Sequence, residues 1–232
     1  MNTFPTLAFD VYGTLIDTHG VIAALEKHVG HKATGFSRIW RDKQLEYSFR
    51  RGLMKNYETF TVCTGSALDF TSDICKTHLS RQQKKELLEI YRTLPAFKDV
   101  TDGLTRSKES GFRMFAFSNG TADAVEMLLN NAGIRDFFLD VVSVDEIKSF
   151  KPDPAVYKHF LKRSGVAGAD CWMISGNSFD VIGAVSAGMK AAWVKRSPEA
   201  VFDPWESEPT ITVKSLAELA GEINKYVNEN PG

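Results

Sequence analysis

The sequence predicts an α/β protein whose core is a doubly wound, mainly parallel sheet with an inserted helical segment. Short apolar runs alternate with amphipathic stretches, a pattern typical of parallel strands covered by helices on both faces. One long stretch, residues 17–97, interrupts the alternation and has helical periodicity almost throughout. We therefore expect a Rossmann-like core domain made of residues 1–16 and 98–232, and a helical cap domain made of residues 17–97.

The predicted elements follow one another in the order that a parallel sheet with helical crossovers requires. The strand-like runs are 6–10, 112–118, 137–144, 171–175 and 191–195, with 210–213 as a shorter candidate. The helical stretches of the core are 121–132, 153–164, 180–188 and 215–228. In the inserted segment the predicted helices are 18–29, 34–52, 60–77 and 81–92.

Composition and charge restrict the class of function. The 232 residues include 28 basic and 29 acidic side chains, so nothing favours nucleic acid or an anionic membrane as a partner. No apolar run approaches the roughly 20 residues of a membrane helix, and the N-terminus lacks a signal-peptide pattern. Cys63, Cys75 and Cys171 are too widely spaced for a metal site or a disulfide framework. We therefore expect a cytoplasmic protein.

Polar side chains stand where the predicted strands end. Asp10 ends the first strand, Ser118 ends the second, and Ser175 ends a later one, while Lys151 follows the third. Ligands of open α/β sheets bind beyond the carboxyl ends of the strands, so we expect these groups around one crevice. Taken singly, Asp10 and Ser118 suit helix caps, Lys151 a solvated loop and Asp180 the first turn of a helix. Their shared position favours a nucleophilic carboxylate with supporting groups.

The neighbours of Asp10 also bear on metal binding. A Mg²⁺-dependent hydrolase would carry a second acid near residue 12 and two acids after the fourth strand, because Mg²⁺ prefers carboxylate oxygens. This chain has Tyr12 in the first place, and Asn177 with a single Asp180 in the second. We therefore expect neither a metal ion nor a cofactor.

Four motifs together resemble the haloacid dehalogenase (HAD) superfamily in order and spacing over nearly the whole chain. They are Asp10-Val-Tyr-Gly-Thr14, Ser118-Asn119-Gly120, Lys151-Pro-Asp-Pro and Ser175-x-Asn177-x-x-Asp180. Tyr12 in the first motif and the segment IWRDKQLEYSF, residues 39–49, resemble the L-2-haloacid dehalogenase branch. Three positions depart from that branch: Gly176 and Phe179 stand where Ser and often Trp are usual, and Asp42 stands where an amide is expected.

The resemblance implies metal-free hydrolysis of short 2-haloalkanoic acids, L-2-haloacids and haloacetate, to 2-hydroxy acids. It implies a catalytic set consisting of Asp10, Thr14, Arg41, Lys151, Ser175, Asn177 and Asp180. It implies a substrate-binding set consisting of Tyr12, Leu45, Phe60, Ser118, Asn119, Tyr157 and Phe179. The carboxylate of Asp10 would form an ester with the substrate, and Asp180 would help water to hydrolyse it. The implied partners are a 2-halo acid, water, the halide product and a second copy of the chain in a homodimer.

Two other functions remain open at the level of sequence. One is a Mg²⁺-dependent phosphatase of the same fold, against which Tyr12 and Asn177 argue. The other is a non-catalytic protein that keeps the fold, against which the complete catalytic set argues. Because fold alone does not decide function, the choice rests on the site residues.

Overall fold

The structure is a computed structural model that describes residues 4–230 of the chain. Its strands are β1 (Thr6–Asp10), β2 (Arg113–Ser118), β3 (Asp140–Ser143), β4 (Cys171–Ser175), β5 (Lys190–Val194) and β6 (Ile211–Val213). They form one sheet in the order β3-β2-β1-β4-β5-β6, and every neighbouring pair is parallel. The direction of winding reverses beside β1, which creates a crevice at the carboxyl end of that strand. The prediction of a parallel α/β sheet is confirmed.

Nine α-helices accompany the sheet within the part of the chain that the structure describes. They are α1 (Ile22–Val29), α2 (Ala33–Leu53), α3 (Phe60–Ile74), α4 (Arg81–Ile90), α5 (Val100–Glu109), α6 (Ala122–Asn131), α7 (Pro154–Ser164), α8 (Ser178–Ser186) and α9 (Leu216–Glu229). The first four follow β1 and precede β2, whereas the others alternate with the strands or follow the last one. Among residues 4–230, no helix is both long enough and apolar enough to span a bilayer.

The central strand β1 shows why the sheet needs helices on both faces. All five of its residues are buried. Successive side chains of a strand point to opposite faces, so Leu7 and Phe9 join one hydrophobic cluster and Ala8 joins the other. The same alternation separates Met114 from Phe115 on β2. A strand apolar on both faces is stable only when both faces are covered.

The inserted helices α1–α4 leave and rejoin the core through two adjacent chain segments. The amide of Asp17 donates to the carbonyl of Pro95 at 2.9 Å, and the amide of Phe97 donates to the carbonyl of Leu15 at 3.0 Å. Within the insertion, α2 packs on α3, and the buried Trp40 indole donates to a carbonyl of α3 at 2.9 Å. The two segments joined by these hydrogen bonds, residues 15–17 and 95–97, form a neck that coincides with the predicted limits of residues 17 and 97. That the insertion is a separate cap domain remains a prediction.

Two predicted features differ from the structure. The predicted strand 137–144 pairs with β2 only over Asp140–Ser143, because residues 135–137 and 144–147 form 3₁₀ turns. Phe138 explains why the predicted strand is longer than β3. It extends the apolar run in the sequence, but in the structure it lies in a loop and packs on Phe9, with ring centroids 5.8 Å apart. Helix α5 was not predicted. Its buried face includes Gly103 and Ser107, which hide the helical periodicity of the apolar residues.

Candidate active site

Asp10 ends β1, and its carboxylate lies at the centre of the crevice. The residue is only 7% exposed. Its Oδ2 accepts three hydrogen bonds, from Thr14 Oγ1 at 2.8 Å, Asn177 Nδ2 at 2.7 Å and Ser175 Oγ at 3.3 Å. These donors come from the turn after β1 and from the end of β4, which is the neighbour of β1 in the sheet. One carboxylate oxygen is therefore held in place, and the other remains for chemistry.

Lys151 lies beneath the site as a buried cation, with 1% of its surface exposed. Its ammonium group donates to Asp180 Oδ2 at 2.8 Å, to the carbonyl of Phe117 at 2.9 Å and to Asp10 Oδ1 at 3.2 Å. An ammonium group has three N–H donors, so all its hydrogen-bonding capacity is used inside the protein. A buried charge is tolerated only when it is paired and hydrogen-bonded in this way.

Asp180, in the first turn of α8, is fully buried and shares the ammonium group of Lys151 with Asp10. Its Oδ1 accepts from the hydroxyl of Tyr157 at 2.8 Å. Burial raises the pKa of Asp180 to about 6 and the charge of Asp10 acts in the same direction, while Lys151 opposes the shift. A carboxylate with a pKa near neutrality is suited to accepting a proton from water.

The residues of the turn after β1 are connected to the inserted helices. The carbonyl oxygen of Tyr12 accepts from Asn177 Nδ2 at 3.1 Å and from Arg41 Nη2 at 3.3 Å. Arg41 also donates to Gln44 on its own helix, at 3.4 Å, so both of its hydrogen bonds are long. Burial raises the pKa of Tyr12 to about 12, so its phenol stays neutral at physiological pH. Arg41 thus brings a weakly engaged positive charge to the turn that follows Asp10.

Ser118 and Asn119 lie between the end of β2 and α6, as expected. The Ser118 hydroxyl accepts from the amide of Gly120 at 3.1 Å, and Asn119 Oδ1 accepts from the amide of Lys151 at 2.9 Å. Both side chains are buried, and among the described residues the Nδ2 of Asn119 has no acceptor. This segment precedes a helix N-terminus, where backbone N–H groups favour anions.

The residues predicted to line the substrate pocket differ in their burial and in the side chains that they contact. Phe60 packs on Tyr12, with ring centroids 5.9 Å apart, and Phe179 packs edge-on against Phe49 at 5.1 Å. Leu45 is half-buried on α2. Tyr157 differs from the expectation of a pocket wall: it is completely buried, and its hydroxyl hydrogen-bonds Asp180 from behind. The structure therefore assigns Tyr157 to the support of a carboxylate, because its hydroxyl is turned towards that partner.

Arg196 is a residue near the site that the sequence argument missed. It follows β5, donates to the carbonyl of Thr14 and forms two 2.7 Å hydrogen bonds with the carboxylate of Asp99. Its guanidinium also lies over the ring of Phe97, 4.2 Å from the centroid. The available signal was its position after a strand that ends at the same edge of the sheet as Asp10. Arg196 holds the turn that carries Thr14.

The donor set around Asp10 differs from that of a divalent-cation site. Within residues 4–230, no three His, Cys, Asp or Glu side chains are grouped closely enough to hold a metal ion. Asn177 presents its amide nitrogen to Asp10 Oδ2, where a hard cation would require an oxygen.

Comparison with known proteins identifies the family. Residues 4–188 match the model of the haloacid dehalogenase-like hydrolases. An (S)-2-haloacid dehalogenase of Pseudomonas putida is 33% identical over 220 residues, which cover 95% of this chain and 96% of the relative. The chain belongs to the L-2-haloacid dehalogenase family. The resemblance seen in the four motifs is thereby confirmed.

Other members of the L-2-haloacid dehalogenase family show the same agreement along the whole chain. The haloacetate dehalogenase H-2 of a Moraxella species is 33% identical, covering 92% of this chain and 95% of the relative. The solved L-2-haloacid dehalogenase of Xanthobacter autotrophicus superposes with a TM-score of 0.88 at 28% identity, covering 96% of this chain and 99% of that one. A second structure of the Xanthobacter enzyme contains covalently bound chloropropionic acid.

Proposed function

We propose that this chain hydrolyses short 2-haloalkanoic acids, including L-2-haloacids and haloacetate, to 2-hydroxy acids and halide without a metal ion. The observation that carries the proposal is that the two oxygens of Asp10 accept different numbers of hydrogen bonds. Oδ2 accepts three hydrogen bonds, whereas Oδ1 meets only the ammonium of Lys151, at 3.2 Å. Oδ1 is the oxygen that retains lone pairs for attack on carbon. The names of the relatives support the choice of substrate class.

In the first step, Asp10 Oδ1 attacks C2 of the substrate from the side opposite the halogen. An O–C2 bond forms as the carbon–halogen bond breaks, the halide leaves with the bonding electrons, and C2 is inverted. A halide needs no proton to leave, so the acid absent at Tyr12 is not required. We assign the halide to Arg41, Asn119 and Phe179. Arg41 suits this role because its two hydrogen bonds are long and its charge is near the turn.

In the second step, water attacks Cγ of the Asp10 ester and Asp180 takes a proton from that water. The bond between Cγ and the ester oxygen then breaks, the alkoxide takes the proton held by Asp180 and leaves as the 2-hydroxy acid, and the regenerated Asp10 carboxyl group releases its proton to solvent. The Oδ2 donors Thr14, Ser175 and Asn177 stabilise the negative charge that develops during this step. Lys151 keeps Asp180 oriented between the two steps.

The carboxylate of the substrate is assigned to the segment between β2 and α6. Ser118 and the backbone amides at the start of α6 supply donors next to a helix N-terminus. Tyr12, Phe60 and Leu45 are assigned to the wall of the pocket. A substrate anion held at this place has its C2 directed towards the end of β1, because β1 and β2 are neighbours.

We extend the proposal to the domain organisation and the setting of the enzyme. Residues 17–97 act as a cap that excludes water from the substitution step; their neck at Asp17 and Phe97 and the reach of Arg41 support this. Free thiols at the three cysteines of the described chain suit the cytoplasm. A homodimer is supported by the exposed Leu53 and Met54 at the end of α2.

The test is halide release from chloroacetate and from the separate L and D isomers of 2-chloropropionate, with excess EDTA present. We expect release from chloroacetate and the L isomer, and loss of that release in Asp10→Asn. A phosphatase assay with Mg²⁺ runs in parallel. Phosphate release without halide release would instead support the phosphatase alternative, and no product in either assay would support a non-catalytic protein.

A further inference from the structure

A cavity of about 540 Å³ opens between the inserted helices and the start of α6. Its wall next to the active site includes Tyr12, Phe60, Tyr91 and Gly120. Tyr12 follows Asp10 by two residues, and Gly120 belongs to the segment assigned above to the substrate carboxylate. The cavity therefore begins beside the proposed substrate-binding site, and its volume greatly exceeds that of a three-carbon acid.

Apolar side chains line the middle of this cavity. Leu88 of α4 belongs to its wall, and Ala124 and Met127 of α6 contribute further apolar surface. Such surface accepts methylene groups but offers nothing to a charged group. The cavity thus has the lining expected for an alkyl chain that extends from a bound 2-halo acid.

Positive charge predominates among the ionisable residues of the cavity. Four basic and two acidic side chains line it: Arg81, Lys84, Lys85, Arg92, Glu89 and Asp123. Lys84 is paired with Asp69 at 2.7 Å, and Arg92 is paired with Glu89 at 3.1 Å. Among the described residues, neither Arg81 nor Lys85 forms an ion pair, and both are exposed. These two cations are available to an anion from outside.

We propose that this cavity is a chain-binding subsite for 2-halo dicarboxylic acids, an inference that rests on the proposed function. The carboxylate next to C2 binds at the start of α6, the methylene chain lies along Leu88 and Met127, and the distal carboxylate pairs with Arg81 and Lys85. A dicarboxylate places one carboxylate at the backbone N–H groups that begin α6 and the other at the exposed cations of α4. Arg81 and Lys85 are the exposed cations of the cavity wall that have no acidic partner among the described residues, so they attract the distal carboxylate.

The experiment compares substrates that differ only in the distal group. Halide release is measured for the S enantiomers of 2-bromo dicarboxylates, from bromosuccinate to bromopimelate, and for 2-bromo monocarboxylates of equal chain length. L-2-chloropropionate reports on the catalytic centre itself. The variants are Arg81→Gln/Lys85→Gln and a control, Lys27→Gln/Lys225→Gln, which removes the same charge from exposed lysines that do not line the cavity.

We expect wild-type protein to turn over at least one long dicarboxylate, with a KM that rises about fivefold in Arg81→Gln/Lys85→Gln, the size expected for one or two exposed ion pairs. The kcat for that acid, the KM for the monocarboxylates and all constants of the control variant stay unchanged. High salt reduces the difference between wild type and the cavity variant.

Two results would overturn the subsite. One is turnover of chloropropionate with no turnover of any dicarboxylate, and the other is a dicarboxylate KM that is the same in wild type and the cavity variant. Either leaves the proposed function standing. If chloropropionate itself releases no halide, the proposed function fails, and the subsite fails with it.

Discussion

At Lys151, one buried ammonium group hydrogen-bonds two carboxylates. Lys151 and Asp180 are essentially inaccessible, and Asp10 is only slightly exposed. Two buried carboxylates repel each other, and the cation between them offsets that repulsion. Lys151 hydrogen-bonds both carboxylates, and Asp180 has a pKa raised by its burial. A single side chain therefore supports both carboxylates.

Replacing Lys151 by methionine tests this arrangement. Lys151→Met leaves the two carboxylates without a counterion, so we expect a fall of about 10³-fold in kcat/KM and a loss of about 3–5 kcal/mol in the free energy of unfolding. Halide release and urea unfolding measure the two effects. Lys158→Met, at an exposed position on α7, is the control and changes neither quantity. Full stability of Lys151→Met would contradict the account.

The raised pKa of Asp180 predicts how the rate depends on pH. Asp180 must be ionised to take a proton from water, so kcat falls as the pH drops through about 6, approaching a tenfold loss per pH unit below it. A pH profile of halide release at saturating substrate measures this. The inflection should disappear from the residual activity of Asp180→Asn. Its persistence in that variant would show that another group titrates.

At the scale of elements, the packing of α5 on α9 closes one face of the sheet. Gly103 of α5 lies against the backbone of Leu216, where α9 begins: a methyl group at Gly103 would come within 2.6 Å of it. The contact needs a residue without a side chain. Glycine and serine occupy two of the four buried positions of α5, so only Val100 and Leu104 mark its buried face as apolar in the sequence. The same glycine that permits close packing therefore concealed the helix from sequence analysis.

Gly103→Ala tests this contact. We expect the free energy of unfolding to fall by about 1–3 kcal/mol, because α5 and α9 must separate to admit the methyl group. Gly221→Ala on α9 is the matched control: nothing lies within 4 Å of the added atom. That variant gains about 0.5–1 kcal/mol from the better helix propensity of alanine. Urea unfolding of the two variants should therefore move in opposite directions.

The sequence predicted the elements and the strand ends better than it predicted long-range contacts. Asp10, Ser118 and Ser175 could be placed together because parallel strands end at one edge of the sheet. The partner of Asp180 could not be predicted in this way. Tyr157 has an aromatic ring typical of a pocket wall, and only the packing of α7 on α8 directs its hydroxyl to the carboxylate of Asp180. The contact between Arg196 and Asp99, which are 97 residues apart in the sequence, could not be predicted either, because it too depends on long-range packing.

At the scale of the whole molecule, Asp99 connects three distant parts of the chain. Its carboxylate accepts from Arg196, from the Ser215 hydroxyl at 3.0 Å and from the Leu216 amide at 2.7 Å. Arg196 in turn donates to the carbonyl of Thr14, so the first helix after the neck, the last helix and the turn of the active site share one network. Residues outside the active site thus help to fix the position of the turn that carries Thr14.

Asp99→Asn weakens this network without changing its shape. We expect a loss of about 2 kcal/mol in the free energy of unfolding at pH 7. Although burial alone would raise the pKa of Asp99, the Leu216 amide and Arg196 hold it below its ordinary value. The stabilisation is therefore present above that ordinary value and is lost as the pH falls through the folded-state pKa.

Urea unfolding at pH 7 and at acidic pH measures the difference between wild type and Asp99→Asn, which should shrink in acid. The exposed Asp102→Asn serves as the control and changes stability by less than about 0.5 kcal/mol. A wild-type advantage over Asp99→Asn that stayed constant with pH would exclude the titration of Asp99 as its source.

The most direct test of the ester mechanism is a single turnover in water enriched in ¹⁸O, with the protein in excess over L-2-chloropropionate. We predict that the lactate formed carries no label, because its new oxygen comes from Asp10. The peptide that contains Asp10 should gain one ¹⁸O, detected by mass spectrometry. Labelled lactate and an unlabelled Asp10 peptide would mean that water attacks C2 directly, and would contradict the account.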